Sequence, residues 1–144
     1  MKAAVALAAC WAACSVVAAE PFSPLGLWQT IDDHSGQPRG AVRIFLDDGR
    51  YFGRVERSLV PGEDTALCIA CRDERKNQPI IGMVILRDIR LQDGAYGGGD
   101  ILDPDSGAVY RCSFQLSDDG RQLRVRGYIG FPLLGRSQVW DRLE

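Results

Sequence analysis

The sequence has little of what an enzyme needs at a reacting centre. Its 144 residues include one histidine, His34, which lies in a polar turn beside Asp32 and Asp33. A Ser-His-Asp or Cys-His arrangement therefore has a single candidate base, and that base neighbours two carboxylates in a turn. A structural zinc site needs about four ligands, which this histidine and the few cysteines do not supply. We expect no catalytic residues, no metal and no cofactor.

Paired carboxylates are present, but each pair falls in a predicted hairpin turn, where aspartate is favoured because it hydrogen-bonds to the local backbone. The pairs are Asp47 and Asp48, Asp103 and Asp105, and Asp118 and Asp119. A glycine run at residues 97–99 is not followed by the helix pattern and lysine of a phosphate-binding loop. It is more typical of a strand that bulges and coils sharply.

The chain also lacks an excess of positive charge. It has 17 basic and 19 acidic residues, and omitting residues 1–19 removes only Lys2, which leaves a net charge of −3. This balance gives no reason to expect a nucleic-acid partner. Arg124, Arg126 and Arg136 have two interpretations, because they could bind an anionic group or pair with carboxylates across neighbouring strands.

Residues 1–19 resemble a signal peptide. One positive charge precedes an unbroken run of apolar and small residues, and Val17 and Ala19 suit the −3 and −1 positions of a cleavage site before Glu20. Two alternatives are a transmembrane anchor and a lipoprotein attached through Cys10. We expect cleavage, a periplasmic or secreted product without a transmembrane segment, and one domain over residues 20–144.

Cysteine usage fits an oxidising compartment. Cys10 and Cys14 would leave with the signal peptide, whereas Cys68, Cys71 and Cys112 remain. The C-x-x-C spacing predicts a local disulfide between Cys68 and Cys71 that pins a loop, with redox catalysis as the alternative. Cys112 lies on the apolar face of an alternating segment, so we expect a buried free thiol.

Short alternating segments separated by turn residues predict about eight strands. They cover residues 25–31, 41–46, 51–58, 80–86, 95–102, 108–116, 122–129 and 137–143. Residues 80–86 are apolar throughout and also suit a short helix plugging a barrel mouth. No long crossover helix separates the strands, as a parallel sheet would require. The prediction is an all-β, small up-and-down antiparallel barrel.

Two segments outside the strands carry alternative interpretations. Residues 59–78 form an unusually long polar connection, and the charge run at 72–76 within it suits a solvated face or a binding lid. The turn Phe131-Pro132-Leu133-Leu134 places several apolar residues in a row. Such a turn either packs down onto the protein or contacts a partner.

The two ends of the predicted barrel are complementary. Gly26-Leu27-Trp28 begins the first strand and Trp140-Asp141-Arg142 ends the last. In a closed barrel these strands are neighbours, so the guanidinium of Arg142 can stack on an indole face. Alternation leaves either tryptophan as its partner. We predict that Arg142 closes the barrel near Trp28, a structural role rather than a catalytic one.

Several motifs together resemble those of the domain of unknown function 2147, a family of exported bacterial proteins with a lipocalin-like fold. They are Gly26-x-Trp28, Ile80-Ile81-Gly82-Met83, Tyr96-x-Gly98-Gly99-x-Ile101-x-Asp103-Pro104, Gly107-x-x-Tyr110, Leu123-x-Val125-Arg126-Gly127-Tyr128-Ile129-Gly130 and Leu134-Gly135-Arg136-x-Gln138-x-Trp140-x-Arg142. The resemblance implies a closed barrel of the kind that can hold a small apolar ligand. It carries no catalytic residues to transfer.

These observations favour a periplasmic lipocalin-like barrel that holds a small apolar or amphipathic molecule in its mouth. The candidates for lining the cavity are Tyr51, Met83, Tyr110, Phe114 and Tyr128, although Tyr128 alternates opposite to its apolar neighbours. The alternative is a protein–protein interaction module of the cell envelope with a solid barrel. Residues 59–78 or 131–134 would then form the contact.

Overall fold

Alternation of apolar and polar residues produces eight strands in the computed structural model, which describes residues 22–144. Each strand pairs antiparallel with the next, and β8 pairs with β1 to close the barrel. The strands are β1 (Gly26–Ile31), β2 (Pro38–Asp47), β3 (Arg50–Ser58), β4 (Val84–Gln92), β5 (Ala95–Leu102), β6 (Val109–Leu116), β7 (Gln122–Tyr128) and β8 (Gly135–Arg142). The predicted all-β, up-and-down barrel is confirmed. The predicted signal peptide, its cleavage site and the alternative anchor at Cys10 lie outside the described residues.

The two ends of this barrel differ. The closed end carries the β2–β3, β4–β5 and β6–β7 turns together with residues 22–25 and 143–144. The open end carries the β1–β2, β5–β6 and β7–β8 turns together with residues 59–83, which connect β3 to β4. We call residues 59–83 the connecting segment.

Every second side chain of a strand points into the barrel, and these side chains fill its interior. On β2, Val42 and Ile44 are buried while Arg43 between them is at the surface, and on β7 Leu123 and Val125 are buried on either side of exposed Arg124. Successive side chains of a strand point to opposite faces, so one face of each strand supplies the core.

The predicted strand over residues 80–86 is wrong in its first four residues, and so is the alternative helix. β4 begins at Val84 and continues to Gln92. Gly82 has a φ of 90°, a conformation that glycine adopts without strain, and it turns the chain into β4. The turn is fixed because the Gly82 N–H donates to the Val55 carbonyl at 2.7 Å and the Val55 N–H donates to the Met83 carbonyl at 2.9 Å.

The glycine run of β5 forms the predicted bulge. Gly98 has a φ of 80°, and the pairing of β5 with β6 shifts register between Tyr96 and Gly99. A Cβ atom added at Gly99 would lie 2.0 Å from the Arg87 carbonyl oxygen of β4. Only glycine permits this close approach of β5 to β4.

The connecting segment is an ordered part of the fold. Its two arms pair because the Cys68 N–H donates to the Gln78 carbonyl and the Asn77 N–H donates to the Cys68 carbonyl, both at 2.9 Å. The predicted disulfide between Cys68 and Cys71 is present and buried. The segment packs on the β5–β6 turn so tightly that a Cβ atom at Gly107 would clash with the Ala70 carbonyl.

The charge run at residues 72–76 is not simply a solvated face. Arg75 is only 6% exposed. Its guanidinium pairs with Asp73 at 2.5 Å and donates to the Val84 carbonyl at 3.0 Å. The prediction is wrong at this position, because Arg75 fastens the connecting segment to the start of β4.

Candidate functional site

A cavity of about 440 Å³ enters the barrel at its open end. Its inner wall is mostly apolar and comes from facing strands. The residues include Val42, Val55, Ile101, Tyr110, Val125 and Trp140. Small ligand pockets in proteins are concave, mostly apolar and about 300–1,000 Å³ in volume, so this cavity has the size and character of a binding site.

The rim of the cavity is charged, and Arg39 joins three elements across it. Its guanidinium donates to Glu63 of the connecting segment at 2.6 Å and to Asp105 of the β5–β6 turn at 2.7 Å. Arg39 itself lies near the start of β2. One side chain thus ties a strand to two loops at the mouth.

A second chain of contacts runs from inside the cavity to the β1–β2 turn on the rim. The Trp140 indole N–H donates to the Gln138 side-chain oxygen at 2.8 Å, and the Gln138 amide donates to the Asp33 carboxylate at 2.6 Å. Arg136 lies 3.4 Å from the same carboxylate. The β1–β2 turn is therefore held against β8 by polar contacts that begin at a cavity-lining indole.

The carboxylate beside His34 has a structural role. Asp32 accepts hydrogen bonds from the backbone N–H groups of Ser35 at 2.7 Å and His34 at 3.0 Å. These bonds, led by the one from the Ser35 backbone, lower the pKa of Asp32 and keep it ionised. Asp32 therefore organises its turn, as aspartate commonly does.

The five predicted lining residues occupy different places. Tyr110 lines the cavity, whereas the other four are not among its lining residues. Tyr51 and Phe114 pack at the closed end against Tyr96, whose ring centroid lies 5.3 Å from that of Tyr51 and 4.9 Å from that of Phe114. Met83 is buried in the core just before β4, and half-buried Tyr128 ends β7. Contact of these residues with a ligand stays a prediction.

The rim residues Arg39, Asp33 and Gln138 were missed by sequence reasoning. Asp33 and Arg39 lie in or beside a turn and Gln138 lies within β8, and charged or polar residues are ordinary at such surface positions. Their partners are distant in the sequence, because Arg39 contacts a residue 66 positions away and Gln138 one 105 positions away. No local pattern signals such pairs.

At the closed end, Arg142 stacks on Trp28 and not on Trp140. The guanidinium carbon lies 4.2 Å from the Trp28 ring centroid, and the Trp28 indole N–H donates to the Pro24 carbonyl at 2.8 Å. A Cβ atom at Gly26, whose φ is 136°, would lie 2.7 Å from the Arg142 guanidinium. Glycine, indole and guanidinium thus fit together where the chain ends meet.

Arg142 also donates hydrogen bonds to backbone carbonyls around it. The acceptors are the carbonyls of Gly120 at 2.6 Å, Ser23 at 2.6 Å and Leu25 at 2.8 Å. A main-chain oxygen of Glu144 also accepts, at 3.2 Å. Desolvation lowers the pKa of Arg142 from its ordinary value. An arginine pKa starts so high that the side chain stays charged at every ordinary pH.

Cys112 is a buried free thiol, as predicted. Burial raises the pKa of this thiol to about 12. The thiolate is the reactive form of cysteine, so Cys112 is not poised as a nucleophile at neutral pH.

Among residues 22–144 no cluster of histidine, cysteine or carboxylate side chains could hold a metal ion. That part of the chain also contains no helix long and apolar enough to cross a membrane.

The comparisons with known proteins agree with this architecture. A family described as "Uncharacterized protein conserved in bacteria (DUF2147)" matches residues 26–142. Among solved structures, the fold is similar to that of protein HP1028 from Helicobacter pylori, described as belonging to the lipocalin family. The match has a TM-score of 0.74 at 20% sequence identity and covers 85% of this chain and 84% of that one. No curated protein sequence matches the chain.

Proposed function

Because the chain belongs to the DUF2147 family of bacterial proteins and has a lipocalin-like barrel, we propose that it is an exported protein that binds a small apolar or amphipathic molecule. The cavity of about 440 Å³ at the open end carries this proposal. Eight-stranded barrels of this kind have room for one small ligand.

The distribution of side chains favours an amphipathic ligand. Val42, Val55 and Val125 offer an apolar wall to its hydrocarbon part, whereas Arg39 and Asp33 surround the entrance and face water. A molecule with an apolar body and a polar end would bury its body in the cavity and keep its polar end in water at the entrance. Burial of the apolar body supplies the affinity, and the polar contacts at the rim set the orientation.

Side-chain contacts order the rim of the cavity. The contacts from Trp140 through Gln138 to Asp33, together with the two ion pairs of Arg39, hold the rim in one arrangement. A preformed site binds more tightly than a flexible one because less side-chain and loop freedom is lost on binding.

Native mass spectrometry of the protein isolated from the cell envelope, combined with titration of the fluorescent probe anilinonaphthalene sulfonate, tests the proposal. We expect one probe molecule per chain, displaced by a fatty acid, and a copurified species in the native spectrum. A bare-chain mass together with no saturable probe binding would show that the cavity is not a ligand site.

Export is tested on the same preparation. The mass of the isolated chain should correspond to a first residue of Glu20, as the cleavage motif predicts. A lipid-modified N-terminal Cys10 would instead place the protein on a membrane as a lipoprotein. The disulfide between Cys68 and Cys71 suits an oxidising compartment.

The alternative role, a protein–protein interaction module with a solid barrel, receives less support. Its premise is a filled interior, whereas the barrel holds an open cavity. The exposed turn at residues 131–134 is the observation that favours it.

A further inference from the structure

The turn between β7 and β8 exposes an unusual amount of apolar surface at the open end. We call residues 129–134 the apolar tip. Ile129 is 67% exposed, Phe131 71%, Leu133 91% and Leu134 66%. Isolated exposed apolar residues are ordinary on a protein surface, whereas a contiguous group of this kind marks an interaction site.

Backbone hydrogen bonds hold the apolar tip in this exposed conformation. The Ile129 N–H donates to the Leu134 carbonyl at 3.1 Å, and the Leu134 N–H donates to the Phe131 carbonyl at 2.9 Å. From β7, the Arg126 guanidinium donates to the Pro132 carbonyl at 2.6 Å. The tip therefore projects as a shaped structure and does not pack down onto the barrel.

Cationic side chains without carboxylate partners lie just behind the apolar tip. Within residues 22–144, neither Arg111 nor Arg126 forms an ion pair, whereas Arg39, Arg43 and Arg50 each do. Arg111 is exposed and lies opposite Tyr128, the residue that precedes the tip. The charge of Arg111 and Arg126 is thus available to an external anion.

We propose that the apolar tip docks on the surface of an anionic lipid bilayer, with Phe131 and Leu133 in the interface and Arg111 and Arg126 on lipid phosphates. Guanidinium groups match phosphate geometry, and tyrosine, here Tyr128, is enriched at membrane interfaces. A convex turn of six residues is too small for a stable protein interface, which buries about 800 Å² on each partner. These features favour a bilayer over a protein.

The position of the apolar tip connects it to the cavity, and this step rests on the proposed function. Arg136 and Gln138 follow the tip on β8 and line the cavity. Docking through the tip therefore brings the cavity mouth to the bilayer surface. An amphipathic molecule could then pass between bilayer and barrel over a short path.

Cosedimentation with vesicles of phosphatidylcholine alone, or mixed with phosphatidylglycerol, tests the docking. We expect the isolated protein to bind the mixed vesicles, with affinity falling as salt rises. Phe131→Ser combined with Leu133→Ser should weaken binding at least tenfold. Arg111→Gln should weaken it about fivefold, and Arg111→Lys should restore most of the loss, since each basic residue near an anionic surface contributes about 1 kcal/mol.

Matched controls come from the closed end. Leu91 is 50% exposed in β4, and Arg121 is exposed in the β6–β7 turn. Leu91→Ser and Arg121→Gln should leave vesicle binding unchanged. Thermal unfolding and probe titration without vesicles, done on every variant, separate docking from folding and from cavity binding. If the unsubstituted protein binds the probe but no vesicles, only the docking is refuted. If it binds vesicles but no probe, only the ligand role is refuted.

Three results would overturn the docking proposal. They are equal vesicle binding by the doubly substituted and unsubstituted proteins, equal affinity for neutral and anionic vesicles, and no binding to either. If the unsubstituted protein does not bind vesicles but crosslinks to an envelope protein through the apolar tip, the tip is a protein contact and the lipid assignment is wrong.

Discussion

The two ends of the barrel are closed by different kinds of contact. At the closed end, Trp28, Arg142 and the cluster of Tyr51, Tyr96 and Phe114 fill the space between the strands. At the open end the interior holds a cavity of about 440 Å³, and charged side chains bridge its rim.

The groups that accept hydrogen bonds from the arginine side chains also differ between the two ends. Arg142 at the closed end donates to backbone carbonyls, which belong to the chain itself and do not titrate. At the open end Arg39 and Arg136 pair with carboxylates on loops, namely Glu63, Asp105 and Asp33. Exposed ion pairs of this sort contribute about 0–1 kcal/mol each. The comparison indicates that the closed end stabilises the fold, whereas the ion pairs at the open end shape the rim of the cavity and contribute little to stability.

The largest effect is expected from Arg142→Ala at the closed end. The substitution removes the stacking on Trp28 and leaves the carbonyls of Gly120, Ser23 and Leu25 without their donor. We expect the free energy of unfolding to fall by about 2–4 kcal/mol, measured by urea denaturation. Lysine should recover less than half of this, because an ammonium cannot reproduce the planar array of donors.

Arg54 provides the matched control for Arg142. Its guanidinium lies 5.0 Å from the Phe45 ring centroid on the outer surface and makes no comparable set of hydrogen bonds among residues 22–144. Arg54→Ala should cost about 0.5–1 kcal/mol, the ordinary value for an exposed cation–π contact. Equal losses for the two variants would show that the carbonyl acceptors do not distinguish the closed end.

The predictions made from sequence succeeded where the determinant was local. Alternation and turn residues indicated eight strands, and the complementary residue types at the chain ends indicated the contact of Trp28 with Arg142. The cavity lining was harder, because alternation tells which face a side chain occupies but not its height along the barrel axis. Tyr51 and Phe114 do lie in the interior, but at the closed end, away from the cavity.

The open end was less predictable for a further reason. Its rim is assembled from turns and from the connecting segment, which have no period to follow. Ile80 and Ile81 are apolar and look like strand residues, but they belong to the turn before β4 and line the cavity. The Ile80 N–H donates to the Ala66 carbonyl and the Gly82 N–H that follows donates to the Val55 carbonyl, and no nearby residue pattern reveals these partners.

A second prediction compares two substitutions that each enlarge a side chain of β7. One replaces a residue that lines the cavity, and the other replaces a residue in the packed core next to it. Val125 lines the cavity, whereas Leu123 lies two residues closer to the closed end on the same face of β7 and is fully buried. Val125→Phe has empty space to enter, so we expect a stability change under about 1 kcal/mol and loss of probe binding. Leu123→Phe has none, so it should cost about 1–3 kcal/mol through overpacking and leave probe affinity intact.

Probe titration and urea denaturation of both variants give the two readouts. Similar destabilisation of the two variants would mean that the interior near Val125 is packed as tightly as that near Leu123. The proposed difference between the ends would then be wrong.

The smallest effect concerns pH. The Arg75 guanidinium holds the pKa of Asp73 at about 2, well below the ordinary value for aspartate, chiefly through their hydrogen bond. A carboxyl with a lowered pKa in the folded state stabilises the protein above about pH 4 and loses that contribution as the pH falls towards 2. Asp73 is one-third exposed, and after discounting for solvent screening we expect a contribution of about 1 kcal/mol.

Asp73→Asn should therefore lower the melting temperature slightly at about pH 6, and the difference from the unsubstituted protein should disappear near pH 2. Arg142→Ala should behave otherwise, because its lost acceptors are carbonyls and its destabilisation should be similar at both pH values. Melting curves of the three proteins across this range make the measurement. A destabilisation by Asp73→Asn that stays constant down to pH 2 would show that Asp73 does not stabilise the fold through its charge. The contrast between the titratable contact of Asp73 and the non-titrating acceptors of Arg142 would then fail.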